Sequence, residues 1–168
     1  LYAHLEPVLQ AMVPMSRLTS GFCNSCGQRY LDWLSGSLTI PKIKEKMQDK
    51  LYGYQRSEGR YAKTSGERWE GIKHEKYQQA RYYALNLHSW VYRGTLEWRL
   101  PPGTVEATKI TRWGQLASMM VTHAAVHTEG QITALIAQPA QEALLSILTP
   151  VMQSFVKARW TRFGAGRI

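Results

Sequence analysis

Cysteine is scarce in this sequence: Cys23 and Cys26 are the only two among 168 residues. Two thiols cannot build the disulfide framework of a small secreted scaffold, so nothing argues for secretion and the chain reads as cytoplasmic. Long apolar runs are missing too. No stretch approaches the ~18–20 apolar residues that a spanning helix needs, so no membrane partner is expected. The start at Leu1 has no basic region ahead of an apolar core. It reads as a cut within a longer chain, not as a signal peptide. Acidic residues are the third shortage: 12 Asp and Glu stand against 21 Lys and Arg, for a formal net charge of +9. That excess favours anionic partners such as nucleic acid, nucleotide phosphates or acidic surfaces. Residues 42–81 alone hold 11 basic and 6 acidic side chains, a local +5.

Apolar material is plentiful, at 44% of residues with six Trp and nine Tyr. A chain of this length can bury one real core. It is expected to be a single domain, or the C-terminal part of one. A mobile basic loop is expected over 53–80 and C-terminal helices over 138–168.

The chain is organised around residues 93–104, R-G-T-L-E-W-R-L-P-P-G-T. Leu96, Trp98 and Leu100 alternate with Thr95, Glu97 and Arg99, a period of two that predicts a strand with one apolar and one charged face. Arg93, Glu97 and Arg99 share a parity and project from one side. A carboxylate between guanidinium groups can pair with them in solvent, or hold a divalent cation while the arginines hold phosphate oxygens. Residues 81–90, R-Y-Y-A-L-N-L-H-S-W, predict a second strand. A short connection through 91–93 would make the two an antiparallel hairpin. If their apolar faces agree, Asn86 and His88 join Glu97 and Arg99 on one polar surface, a grouping that a one-residue slip would undo.

Elsewhere, Leu5, Val8, Leu9 and Met12 recur at helical spacing, so a short helix should end before Pro14. Arg17 follows in a loop, and Tyr30 to Leu34 is a short apolar segment. Cys23-Asn24-Ser25-Cys26 is a lone C-x-x-C. It lacks a second pair for zinc and the strand–helix setting of a redox motif, so ordinary thiols are expected. A helix is predicted over 41–52. Over 53–76, basic residues mix with Tyr54, Tyr61 and Trp69, a composition that suits a surface loop, a lid over a phosphate site, or a platform for single-stranded nucleic acid. Residues 105–127 predict the clearest helix, capped by Thr104, with Ile110, Trp113, Ala117, Met120, Val121 and Ala124 as its buried stripe. His123 and His127 lie on one flank without the glutamate of a metalloprotease motif. Residues 138–163 predict one or two helices broken at Pro150, and Arg159, Arg162 and Arg167 a basic tail.

The ordered set P-M-S-R (14–17), F-C (22–23), R-Y-Y-A-L-N-L (81–87), G-T-L-E-W-R-L-P-P-G-T (94–104) and a helix bearing Trp113 resembles the amidoligase family. That family belongs to the glutamine-synthetase-like carboxylate–amine ligases. The resemblance covers roughly residues 5–128. It implies an α+β fold, an antiparallel sheet with helices packed on one face, incomplete at the N-terminus. The family's early acidic strands of the G-x-E-x-E kind have no counterpart before Arg17, so the chain resembles a C-terminal portion. The resemblance also implies an ATP-dependent ligase that forms an amide from a carboxylate and an amine, peptide or amino acid, through an acyl phosphate, with ATP and Mg²⁺. Glu97 would be the metal ligand, and catalytic together with Arg99 and Arg17. Arg93, Arg81 and Asn86 would contact the cofactor. Phosphoryl transfer needs such groups because its catalysis is largely positioning and charge neutralisation. The alternative is a basic nucleic-acid-binding or assembly protein on a degenerate ligase fold.

Overall fold

A computed structural model describes residues 1–26, 76 and 79–168 of the chain. The apolar segment at 30–34, the helix expected over 41–52 and most of the basic loop over 53–80 lie outside the described residues.

The apolar spacing at the start does form a helix, α1, Tyr2–Gln10. It buries Leu5, Val8 and Leu9, and the stripe runs on through Met12 and Val13 into the core. Pro14 then separates α1 from a single turn, α2, Met15–Leu18. After a 3₁₀ turn at Gln79–Tyr82 come β1, Leu85–Asn86, and the short helix α3, His88–Arg93. The strand β2, Glu97–Trp98, pairs antiparallel with β1, placing Leu85 opposite Trp98 and Asn86 opposite Glu97. The expected hairpin is therefore present in its pairing. Its connection differs: residues 88–93 coil into α3, which ends because Gly94 takes the left-handed conformation, φ 72°, and donates its N–H to the Trp90 carbonyl at 2.8 Å. Glycine occupies that position at no steric cost.

The ribbon is widened by main-chain bonds at its end. The N–H of Arg99 donates to Ala84 at 2.9 Å, and Asn24 forms an isolated parallel bridge to Tyr83. The architecture is thus mainly helical with a two-stranded antiparallel sheet among the described residues, an α+β arrangement.

Four helices complete it: α4, Ala107–Val126; α5, Glu129–Ile136; α6, Ala140–Ser146; and α7, Pro150–Phe163. The stripe expected on α4 is rotated. Trp113, Leu116 and Met120 are buried, whereas Ile110, Val121 and Ala124 are exposed. Trp113 sets this face by meeting Phe155 of α7 edge-on, ring centroids 5.8 Å apart. α5 opens with a reciprocal capping box between Thr128 and Gln131, which satisfies two otherwise unpaired N–H groups. Pro150 begins α7 instead of kinking a continuous helix, since the first turn has no use for the N–H that proline lacks.

The C-terminal arginines correct another expectation. Arg159 is buried and donates to the Met12 carbonyl at 2.8 Å, while Arg167 donates to Val13 at 2.8 Å, Gln10 at 3.3 Å and the Phe163 carbonyl. Trp160 donates its indole N–H to Val8 at 2.7 Å. These side chains satisfy carbonyls that the end of α1 leaves open, so the basic end is a docked cap and not a solvated tail. Among the described residues, no helix is long and apolar enough to cross a membrane.

Candidate active site

Residues directly opposite in an antiparallel pair project from the same face of the ribbon. The observed register therefore puts Asn86 beside Glu97, and Arg99 joins them two residues along β2. Asn86 donates from Nδ2 to Glu97 Oε2 at 2.7 Å, and Arg99 donates from Nη1 to Glu97 Oε1 at 2.8 Å. Each carboxylate oxygen thus has one fixed donor. The Glu97 side chain is 44% exposed and that of Arg99 16%.

Asn86 is 3% exposed and also accepts, through Oδ1, from the N–H of Ser89 at 3.2 Å. One amide therefore ties β1 to both the first turn of α3 and the carboxylate on β2. Glu97 opens on a polar pocket of about 170 Å³. Asn86, His88, Ser89 and Tyr92 form part of its wall, and Lys76, Arg81 and Arg93 bring positive charge to it. His88 and Tyr92 are four residues apart on α3, with rings stacked at 6.1 Å. Arg93 lies over the Tyr92 ring, 5.5 Å from its centroid. Among the described residues of the lining, one carboxylate meets three cationic side chains, a composition that suits an anionic ligand.

A family model described as "Putative amidoligase enzyme" matches residues 1–121. The chain belongs to the amidoligase family. No curated protein and no solved structure matches it. Membership supports a ligase-type function for the chain, and an amidoligase acts on a carboxylate and an amine.

Of the residues expected in an amidoligase site, Glu97, Asn86, Arg81 and Arg93 meet around the pocket. Arg99 stands behind Glu97. Its Nε donates to the Phe22 carbonyl at 3.1 Å and its guanidinium lies over the Tyr82 ring at 5.6 Å. Arg17 lies apart from the pocket wall. It donates from Nε to the Leu100 carbonyl at 3.3 Å and from Nη2 to that of Arg99, bracing the chain where it leaves β2.

The C-x-x-C segment is a packing feature. Cys23 and Cys26 are buried and form no disulfide. Glu6 of α1, 1% exposed, accepts from Ser25 Oγ at 2.7 Å, Cys26 N at 2.9 Å and Cys26 Sγ at 3.1 Å. Burial, then the charge and hydrogen bond of Glu6, push the Cys26 thiol well above its ordinary range. Burial likewise raises Cys23. Both stay protonated at neutral pH, unlike reactive thiolates. His123 and His127 stack on α4 with centroids 3.7 Å apart. Burial, then its neighbour's charge, lowers the His123 pKa. Among the described residues, no group of three or more His, Cys, Asp or Glu could hold a metal ion.

Ser89 and Tyr92 are not visible in the sequence reading because it places Ser89 in a strand over 81–90 and Tyr92 in a hairpin connection over 91–93. Only when 88–93 is helical do His88 and Tyr92 share a face. Lys76 was visible in sequence only as one cation within a basic stretch.

Proposed function

We propose that this chain carries the phosphate- and substrate-binding region of an ATP-dependent carboxylate–amine ligase. The observation that supports this most is a carboxylate, Glu97, that is fixed by Asn86 and Arg99 and lines the same pocket as Arg81, Arg93 and Lys76. Its volume is below the ~300–1,000 Å³ of whole-ligand pockets, and so suits a phosphate portion of a nucleotide.

The residues fit the groups that the family implies. An ionised carboxylate offers about four acceptor sites, and the bonds to Asn86 and Arg99 take two. Glu97 therefore keeps capacity for Mg²⁺, which is commonly held by one or two carboxylates along with phosphates and water. Bound ATP and Mg²⁺ would supply the phosphoryl group that activates a poor electrophile, the substrate carboxylate, as an acyl phosphate open to an amine.

The chain's own residues bind and orient. Arg81, Arg93 and Lys76 balance phosphate charge. Glu97 offers its remaining acceptor capacity in the same pocket. His88, buried in the wall, helps shape its α3 side.

The test is release of ADP by the protein given ATP, Mg²⁺, a carboxylate and an amine. Glu97→Gln should lower kcat by about a thousandfold, the scale of a lost electrostatic contact to the transition state, with the thermal midpoint nearly unchanged. Undiminished turnover in that variant removes Glu97 from the mechanism.

A further inference from the structure

Two kinds of arginine surround Glu97, and their contacts separate them. Arg93 is in the pocket wall at the end of α3. Arg99 is turned onto the protein: it donates to Glu97 Oε1 and the Phe22 carbonyl, and its flat face covers Tyr82. Its main chain is also fixed, since its N–H donates to Ala84 and its carbonyl accepts from Arg17. Asn86 mirrors this on the other strand, nearly buried, with Nδ2 on Glu97 Oε2 and Oδ1 on the Ser89 N–H.

We propose a division of labour in which Arg99 and Asn86 are positioning residues that hold the two oxygens of Glu97, one each, while Arg93 is a direct phosphate contact. This reading departs from the expectation that Arg99 meets the transferred phosphate. The Arg99 guanidinium is not among the described residues lining the pocket, so reaching a ligand there would mean giving up its bonds to the carboxylate and the carbonyl. A carboxylate held at two oxygens has lost its rotation about the terminal torsion, so any cation or substrate it meets finds it in one orientation. Arg17 acts one step further out, through the carbonyls of Arg99 and Leu100, by holding the strand that carries both residues.

The inference rests on the ligase reading for turnover but not for binding, so the experiment has two arms. The first measures inorganic tripolyphosphate binding by calorimetry for the full chain. Arg93→Gln should weaken it about tenfold or more, the scale of one lost charge-assisted contact. Arg99→Gln should leave it within about twofold of wild type. The second arm measures ligase turnover. Arg99→Gln should lower kcat about a hundredfold with KM for ATP unchanged, as misplacing a catalytic group does. Arg99→Lys keeps a cation and a donor, and should recover part of that loss. It also serves if Arg99→Gln does not fold.

Loss of tripolyphosphate binding in Arg99→Gln equal to that in Arg93→Gln overturns the proposal, as does wild-type kcat in Arg99→Gln. A wild-type chain that binds tripolyphosphate but releases no ADP overturns only the ligase reading, and the binding arm still decides between the arginines. A wild-type chain that binds no tripolyphosphate overturns the phosphate contact and the division of labour with it.

Discussion

Glu6 and Glu97 are both carboxylates fixed by hydrogen bonds at both oxygens. Glu6 is 1% exposed and encloses Ser25 and both donors of Cys26 around its oxygens. The Glu97 side chain is 44% exposed, has one donor on each oxygen, and borders a pocket lined with positive charge. The first carboxylate turns its acceptors inward and fastens a loop to α1. The second leaves acceptors facing solvent and a cavity. Number of partners does not distinguish anchor from site; where the remaining lone pairs point does.

The comparison can be broken by exchanging the readouts. The largest effect belongs to Glu97→Gln, whose loss of turnover should come with little loss of stability. Glu6→Ala should do the reverse. It strands the main-chain N–H and thiol of the buried Cys26, so denaturant unfolding should report a loss of about 3 kcal/mol. The fraction that remains folded should keep its turnover. A stable Glu6→Ala protein lacking activity would show the two carboxylates to be coupled. Next in size is Arg159→Met, which removes the donor to Met12 while keeping an unbranched apolar stem. Urea titration should show a loss of about 2 kcal/mol, the range for a bond from a charged donor.

Gly94→Ala should cost about 1 kcal/mol, because φ of 72° is strained for any residue with a Cβ. The backbone after α3 leads directly to Glu97, so a fall in activity larger than the fall in stability would sharpen the contrast. The smallest effect is a pH dependence. Both buried thiols are raised above the ordinary value of about 9. The native state therefore holds its protons longer than the unfolded chain. The stability this contributes is complete below pH about 9 and is lost as pH rises beyond it. Urea midpoints between pH 7 and 10 should fall at the alkaline end, and less steeply in Glu6→Gln, where one cause of the Cys26 shift is gone.

Features with local causes were legible in the sequence. α1 shows its apolar spacing, and the grouping of Asn86 with Glu97 follows from two alternating segments whose apolar faces agree. α3 was not legible: six residues long, without a side-chain cap, it looks like the end of an alternating run, and Gly94 is its one clear signal. The rotated face of α4 depends on Phe155, far along the chain, so periodicity alone gave the helix but not its buried side. The Thr128–Gln131 capping box could have announced α5. The attachments of Arg17, Arg159 and Arg167 are hidden for another reason. Their acceptors are main-chain carbonyls, which every residue has and no composition reveals. The family resemblance, likewise, implies a ligand contact for Arg99, and the protein-bound contacts on which we propose an orienting role instead are not visible in the sequence.

The arginine cap on α1 has a consequence for how the molecule is made. Arg159 reaches a carbonyl 147 residues earlier, and Arg167 one 154 residues earlier. A chain emerging from the ribosome must therefore carry the carbonyls just after α1 without these donors until some 147 further residues have been synthesised. Contacts so distant in sequence form slowly and leave partly folded chains exposed meanwhile. A nascent chain stalled before residue 159 would lack the clasp, making α1 an early target for chaperones and proteases.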